Sequence, residues 1–273
     1  MLWYGSPFSM SGTMDFSEFA NRHVLVTGGS SGIGLATAQL LAQRGARVYL
    51  IARSEAKLAA ATDAIARAGG TAAYGVGDVA DRSALMATIE AAERTFGPVA
   101  ALFANAGTGG RFAALTDYDD ALFEAVLRTN LMSVYWAIKR VLPAMREQRS
   151  GSIVVTGSLA SERGMPHNIA YVASKHAVLG LARAAAIEAA PYNVRVNCVL
   201  PGLIETPMLM QLDPASPPQA IRERLGAGVP LGRIGTAEEL AELACFLLSD
   251  RASHITAQAI AADGGILGTL TPR

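Results

Sequence analysis

The stretch HVLVTGGSSGIGLATAQLLAQRG, residues His23 to Gly45, decides the fold class. A short apolar run ends in glycine, and a second segment resumes with apolar residues at helical spacing. Gly45 then follows the helical pattern, where helices prefer to close. The glycines between the two segments have a physical purpose. They let the backbone turn tightly and approach a pyrophosphate, whose charge is met by the N-terminus of the next helix. A glycine-rich turn alone is weak evidence; a strand before it and a helix after it are the context that gives it meaning. The spacing here is Gly28, Gly32, Gly34, not GxGxxG.

The same alternation continues along the chain. Apolar runs occur at RVYLIAR, AAYGVGDV, VAALFANAG, GSIVVTGS, VRVNCVLPG and TAQAIAADGG. Between them lie helical patterns, among them SEAKLAAATDAIARAGG, SALMATIEAAERTFG, AYVASKHAVLGLARAAAIEAA and AEELAELACFLLS. DALFEAVLRTNLMSVYWAIKRVLPAMREQ reads as one long helix. Strands alternating with helices mean βαβ crossovers and a parallel sheet. Strands buried on both faces are near-continuous apolar runs, as VLVTG and IVVTG are. The expected fold is therefore α/β: a single doubly wound (Rossmann) domain over residues 21–273, with about seven parallel strands. Residues 1–20 read as a flexible N-terminal tail without function, in which Met10 and Met14 could equally begin the chain. Met208 to Gly235, rich in Pro, reads as an irregular insert of the kind that forms a mobile substrate lid.

Composition narrows the function. Of 273 residues 51% are hydrophobic and 17% charged, enough for a large core. Net charge is zero, with no basic run, which argues against nucleic acid or an anionic membrane as partner. No apolar run has the length of a membrane span, and no secretory signal opens the chain. Cys198 and Cys245 form no CxxC pair and read as free core thiols in a reducing, cytoplasmic compartment. No metal-ligand pattern is expected.

Together the motifs resemble the short-chain dehydrogenase/reductase family, in its short single-domain branch, over about Arg22 to Leu267. TGGSSGIG resembles the family's glycine turn, and Asp78 of GDV its adenine-contacting Asp. ANAG at Ala104 to Gly107 resembles NNAG, with Ala in place of the first Asn. PGLIETPM at Pro201 to Met208 resembles the stretch that holds the nicotinamide amide, and ITAQAIAADGG the closing strand. The resemblance implies cofactor contacts from Gly28, Ser30, Ser31, Gly32, Ile33, Gly34, Asp78, Val79, Asn105, Ala106, Gly107, Pro201, Gly202, Ile204 and Thr206. Tyr171 and Lys175 are expected to reach the cofactor as well.

The end of the second strand distinguishes NAD from NADP, because a carboxylate there bonds the ribose 2′-hydroxyl and repels a 2′-phosphate. Here that position is Ala52, followed by Arg53. A neutral side chain followed by a guanidinium suits the phosphate, so NADP is favoured over NAD. The plainer reading leaves Arg53 in solvent at a helix start.

YVASK places the Tyr171 phenol and the Lys175 ammonium on one helix face. Hydride transfer to a carbonyl leaves an alkoxide that must take up a proton. A nearby ammonium favours the phenolate and is expected to lower the phenol's pKa toward working pH. A lone YxxxK occurs often by chance. Ser158, thirteen residues upstream and just past a strand, tips the balance by offering a donor to the substrate oxygen. Ser161 is the weaker serine. The resemblance makes Tyr171 the acid/base, Lys175 its partner and Asn130 the fourth catalytic residue. Asn130 is expected to kink its helix and hold a proton-relaying water. His167 reads as an exposed loop residue, and Tyr135 and Trp136 as packing.

The implied function is an NAD(P)(H)-dependent oxidoreductase acting on a secondary alcohol or ketone, a small-molecule substrate. Leu159, Met165, Leu209, Met210, Leu212 and the stretch from Gly109 to Phe112 would give it an apolar pocket. A non-catalytic cofactor-sensing protein on the same fold is the rival, and it should have lost part of the Asn130, Ser158, Tyr171, Lys175 set. The family resemblance and the alanine-rich helix from Ser174 to Ala190 together imply a homotetramer.

Overall fold

The computed structural model describes residues 18–269. Its centre is a seven-stranded parallel sheet with strand order β3-β2-β1-β4-β5-β6-β7. The strands are β1 (His23–Thr27), β2 (Arg47–Ala52), β3 (Thr71–Val76), β4 (Ala101–Ala104), β5 (Gly151–Thr156), β6 (Val194–Pro201) and β7 (Ala259–Ala262). The helices are α1 (Gly32–Gln43), α2 (Glu55–Arg67), α3 (Arg82–Phe96), α4 (Asp120–Leu127), α5 (Ser133–Gln148), α6 (Ile169–Ala189), α7 (Pro207–Met210), α8 (Pro218–Gly226) and α9 (Ala237–Leu248).

Strand alternation divides the core into two layers. In β1, Leu25 packs into one layer with Ile89 of α3, Val141 of α5 and Val178 of α6. Its neighbours Val24 and Val26 join the other layer, with Leu41 of α1, Leu58 of α2 and Leu247 of α9. All nine side chains are fully or almost fully buried. Each such burial contributes about 1.5–3 kcal/mol relative to exposure, which is why these runs must be strands inside two helical layers.

Helix starts follow local chemistry. Ser54 caps α2 by accepting from the Lys57 amide, Asp81 caps α3, and Thr236 forms a capping box with Glu239 at α9. Among the described residues no helix is long and apolar enough to cross a membrane.

Three expectations are corrected. The single long helix over 120–148 is two helices, because Arg128–Met132 forms a π turn between α4 and α5. The insert at 208–235 is not irregular throughout: α8 lies within it. Of the tail expected at 1–20, residues 1–17 lie outside the described residues. Phe19, however, is fully buried in the core beside β1, so the packed domain reaches further toward the N-terminus than residue 21.

Candidate active site

The strand order reverses between β1 and β4, and a cavity of about 1020 Å³ lies beyond the C-terminal ends of the strands there. That is the upper end of the size expected of a small-molecule site.

One half of its wall is the glycine turn. Gly28, Ser30, Ser31, Gly32 and Ile33 line it. Gly28 has φ +68°, and a Cβ there would come within 2.9 Å of the Ala106 Cα. Gly34 does not line the cavity: a Cβ on it would lie 2.3 Å from the Gly28 carbonyl oxygen, so its role is to let α1 close on the turn. Asn105 fixes the turn from β4. Its amide nitrogen donates to the Thr27 and Gly28 carbonyls, and its oxygen accepts from the Thr156 hydroxyl at 3.2 Å. Thr27 Oγ1 accepts the Asn105 and Ala106 N–H groups at 3.0 and 3.1 Å. Ala106, Gly107, Asp78, Val79, Pro201, Gly202, Ile204 and Thr206 complete this half. The Asp78 carboxylate accepts the Ala80 N–H and so shapes its own turn. Arg53 lines the cavity, and so do Ser54 and Lys57, which the sequence reading passed over. Lys57 lies in the first turn of α2, four residues after Arg53 in the chain. A cradle too tight for side chains, ending in two exposed cations, fits a phosphate-bearing dinucleotide.

The residues expected to react lie on the same cavity. Ser158, Tyr171 and Lys175 all line the cavity. Ser158 Oγ accepts the Ala160 N–H at 3.1 Å, and its own proton faces Tyr171 as a donor. Ser161 supports it from below: its Oγ accepts the Ser158 N–H at 3.1 Å. The Lys175 ammonium donates to the Thr156 carbonyl at 2.7 Å and lies 5.7 Å from the centre of the Tyr171 ring.

Electrostatics differ from expectation here. Burial pushes the Tyr171 phenol above its ordinary value, and a hydrogen bond with Ser158 opposes that shift. The expected lowering by Lys175 does not prevail. Lys175 is itself buried, and burial pushes its ammonium down to about 8, with the nearby Cys198 sulfur acting in the opposite sense.

Asn130 sits in the π turn, almost fully buried, and is not on the cavity wall. Its side-chain amide is committed to protein partners. Its oxygen accepts the Thr108 N–H at 2.8 Å, and its nitrogen donates to the Thr108 carbonyl at 2.9 Å and to Ser174 Oγ at 3.0 Å. It therefore positions the loop after β4 against α6 and does not touch the cavity. Asn168, which the sequence reading did not single out, holds the same loop one residue further on, donating to the Gly109 carbonyl at 2.9 Å. His167 is exposed as expected, at φ +62°.

The apolar end of the wall includes Leu159, Met165, Leu209, Leu212, Gly109 and Phe112 as expected, but not Met210. Ile266 and Leu267, near the end of the described chain, join it.

Comparison with known proteins agrees with this fold. Residues 28–267 match a family model described as enoyl-(acyl carrier protein) reductase. The chain is 38% identical over 255 residues to levodione reductase from Leifsonia aquatica, covering 91% of this chain and 95% of that protein. It is 38% identical over 252 residues to 2-(S)-hydroxypropyl-CoM dehydrogenase 3 from Xanthobacter autotrophicus, covering 92% and 98%. The crystal structure of levodione reductase superposes with a TM-score of 0.86, covering 90% of this chain and 98% of that one. A variant of actinorhodin polyketide ketoreductase, solved with NADPH, gives the same TM-score at 35% identity, covering 90% and 97%.

Proposed function

The chain belongs to the short-chain dehydrogenase/reductase family, and from that premise we propose that it reduces the ketone of a largely apolar small molecule with NADPH. It is an NAD(P)-dependent oxidoreductase; the direction, the substrate's apolar body, the preference for NADP and the residue roles are our reading. One observation carries that reading: Ser158, Tyr171 and Lys175 line the same cavity as the glycine cradle.

The bound nicotinamide supplies the hydride to the carbonyl carbon. Ser158, which shares a hydrogen bond with Tyr171, turns its proton to the carbonyl oxygen and stabilises charge as it develops there. Tyr171 gives that oxygen its proton. A phenol raised by burial is protonated at neutral pH, the state a general acid needs. Lys175, fixed on Thr156, favours the phenolate left behind. Asn130 holds the loop that walls the site. Tyr171→Phe tests the assignment. It is expected to bind NADPH normally, by cofactor fluorescence, while turnover of ketones falls by roughly a hundredfold or more. Comparable turnover in the two proteins would remove Tyr171 from the mechanism.

A homotetramer is part of the proposal, though its basis shifts. Ala182, Ala186 and Ala189 of α6 are buried in the chain's own core, whereas Ile187 on the same helix is 68% exposed. Light scattering at micromolar concentration decides it, and a stable monomer would refute it. The buried free thiols of Cys198 and Cys245 are what supports a cytoplasmic location.

A further inference from the structure

We propose that the substrate carries an anionic group remote from its reacting carbon, and that Arg163 receives it. The inference rests on Ser158, Tyr171 and Lys175 being the reacting centre.

The charged side chains on the cavity wall are Arg53, Lys57, Asp78, Arg163 and Lys175. The first three stand at the ends of β2 and β3, in the dinucleotide half, and Lys175 belongs to the reacting centre. Among the described residues Arg163 is the remaining charge; it is exposed, and the same cavity is lined by the apolar Leu159, Met165, Leu209, Leu212 and Ile266 together with Thr269.

Its position is fixed. The Arg163 N–H donates to the Leu159 carbonyl at 3.0 Å, which closes the turn that follows Ser158. Its Nη2 donates to the Leu267 carbonyl at 3.0 Å, which pins the guanidinium where this turn meets the C-terminal segment. The structure shows that one guanidinium hydrogen bond, out of five N–H donors. Among the described residues Arg163 forms no ion pair.

A held cation on an apolar wall selects by charge. In water the pair it could form with an anion contributes little, because both ions are well solvated. An apolar body filling the cavity expels that water and strengthens the pair. A carboxylate, sulfonate or phosphate matches the planar fork of the guanidinium and can take two parallel hydrogen bonds from it. A neutral substrate of the same shape would strip water from the cation and give nothing back.

The competing role for Arg163 is a latch that merely holds the C-terminal segment. A series of methyl-ketone carboxylic acids of graded chain length, each paired with its methyl ester, separates the two. The acid-to-ester ratio of kcat/KM is expected to reach about ten- to a hundredfold at the best-fitting length, expressed mainly in KM. In Arg163→Gln, which retains a donor for Leu267, that ratio should collapse toward one, and in Arg163→Lys it should fall only in part. A wild-type ratio of one or below at every length would overturn the proposal. So would an Arg163→Gln protein in which acid and ester lose activity alike, which is the latch result. Tyr171→Phe run on the same pairs keeps the two readings apart. If it abolishes turnover of acids and esters while the ratio shows no dependence on Arg163, the reacting centre stands and this inference alone fails.

Discussion

The ammonium of Lys175 donates to the carbonyl oxygen of Thr156 at 2.7 Å, in a site where Lys175 is only 4% exposed. Thr156 is the last residue of β5, two residues before Ser158, so one hydrogen bond ties the catalytic helix to the strand that delivers the serine. The sheet thereby buries a cation without a carboxylate beside it, at a cost in stability.

That cost has a pH signature. Lys175 has a folded-state pKa of about 8, below the roughly 10.4 of an unfolded lysine. The burial penalty is complete below pH 8 and fades as pH rises to about 10.4, because the native state releases its proton first. Lys175→Met should be inactive yet more stable at pH 7, by roughly 2–3 kcal/mol after the lost hydrogen bond is subtracted. The gap should close between pH 8 and 10.4. Cys198, with its thiol pushed up to about 11 by burial and drawn down by Lys175, acts in the opposite sense over that range, so both proteins are compared in a Cys198→Ala background. Urea denaturation of both across pH provides the check. A variant less stable at pH 7, or a gap indifferent to pH, would show that the cation is not the burden.

Asn130 predicts a different pattern. Asn130→Ala removes three hydrogen bonds and leaves the Thr108 N–H without its acceptor. The expected loss is about 2–4 kcal/mol, together with a fall in kcat as the loop through Gly109 loosens. Ser174→Ala removes one of the three and should cost about 1 kcal/mol. Thermal unfolding should rank wild type, Ser174→Ala, Asn130→Ala in falling order. Equal midpoints for the two variants would mean that the bond to Ser174 carries the effect and the Thr108 pair does not.

The parts of the site that were legible in the sequence are those with a local cause. The turn from Gly28 to Gly34 needs glycine because Ala106 and the Gly28 carbonyl leave no room for a Cβ. Tyr171 and Lys175 share a face because helical spacing puts them there. What stayed hidden depends on the tertiary environment. The π turn at Arg128–Met132 interrupts no apolar pattern, so 120–148 reads as continuous; only Asn130, expected to kink the helix and found inside the π turn, marks the place. Phe19 sits in a polar segment, and only the packed core shows that it is needed. The balance of burial against charge at Tyr171 cannot be read from two letters four residues apart, because desolvation by the surrounding fold decides it. Lys57 carries no motif of its own, and only the fold shows that it lines the same cavity as Arg53.

That pairing sharpens the cofactor prediction. β2 ends at Ala52, whose methyl offers nothing to repel a 2′-phosphate, while Arg53 and Lys57 line the same end of the cavity. Both cations are exposed, so neither contributes much until a phosphate sits between them. A charge-assisted hydrogen bond contributes about 1.5–3 kcal/mol, so kcat/KM with NADPH should exceed that with NADH by on the order of ten- to a hundredfold. Arg53→Ala should remove most of that preference, mainly by raising KM for NADPH, because the guanidinium can grip the phosphate with two hydrogen bonds. Lys57→Ala should remove less, since a lysine offers a point charge on a flexible stem. Ala52→Asp should reverse the preference, because the new carboxylate repels the phosphate and accepts from a free 2′-hydroxyl. Steady-state kinetics with both cofactors on the four proteins settles the order. A wild-type preference for NADH would relegate both cations to solvated positions at a helix start. An unchanged ratio in Arg53→Ala with a large loss in Lys57→Ala would move the phosphate contact one turn along α2.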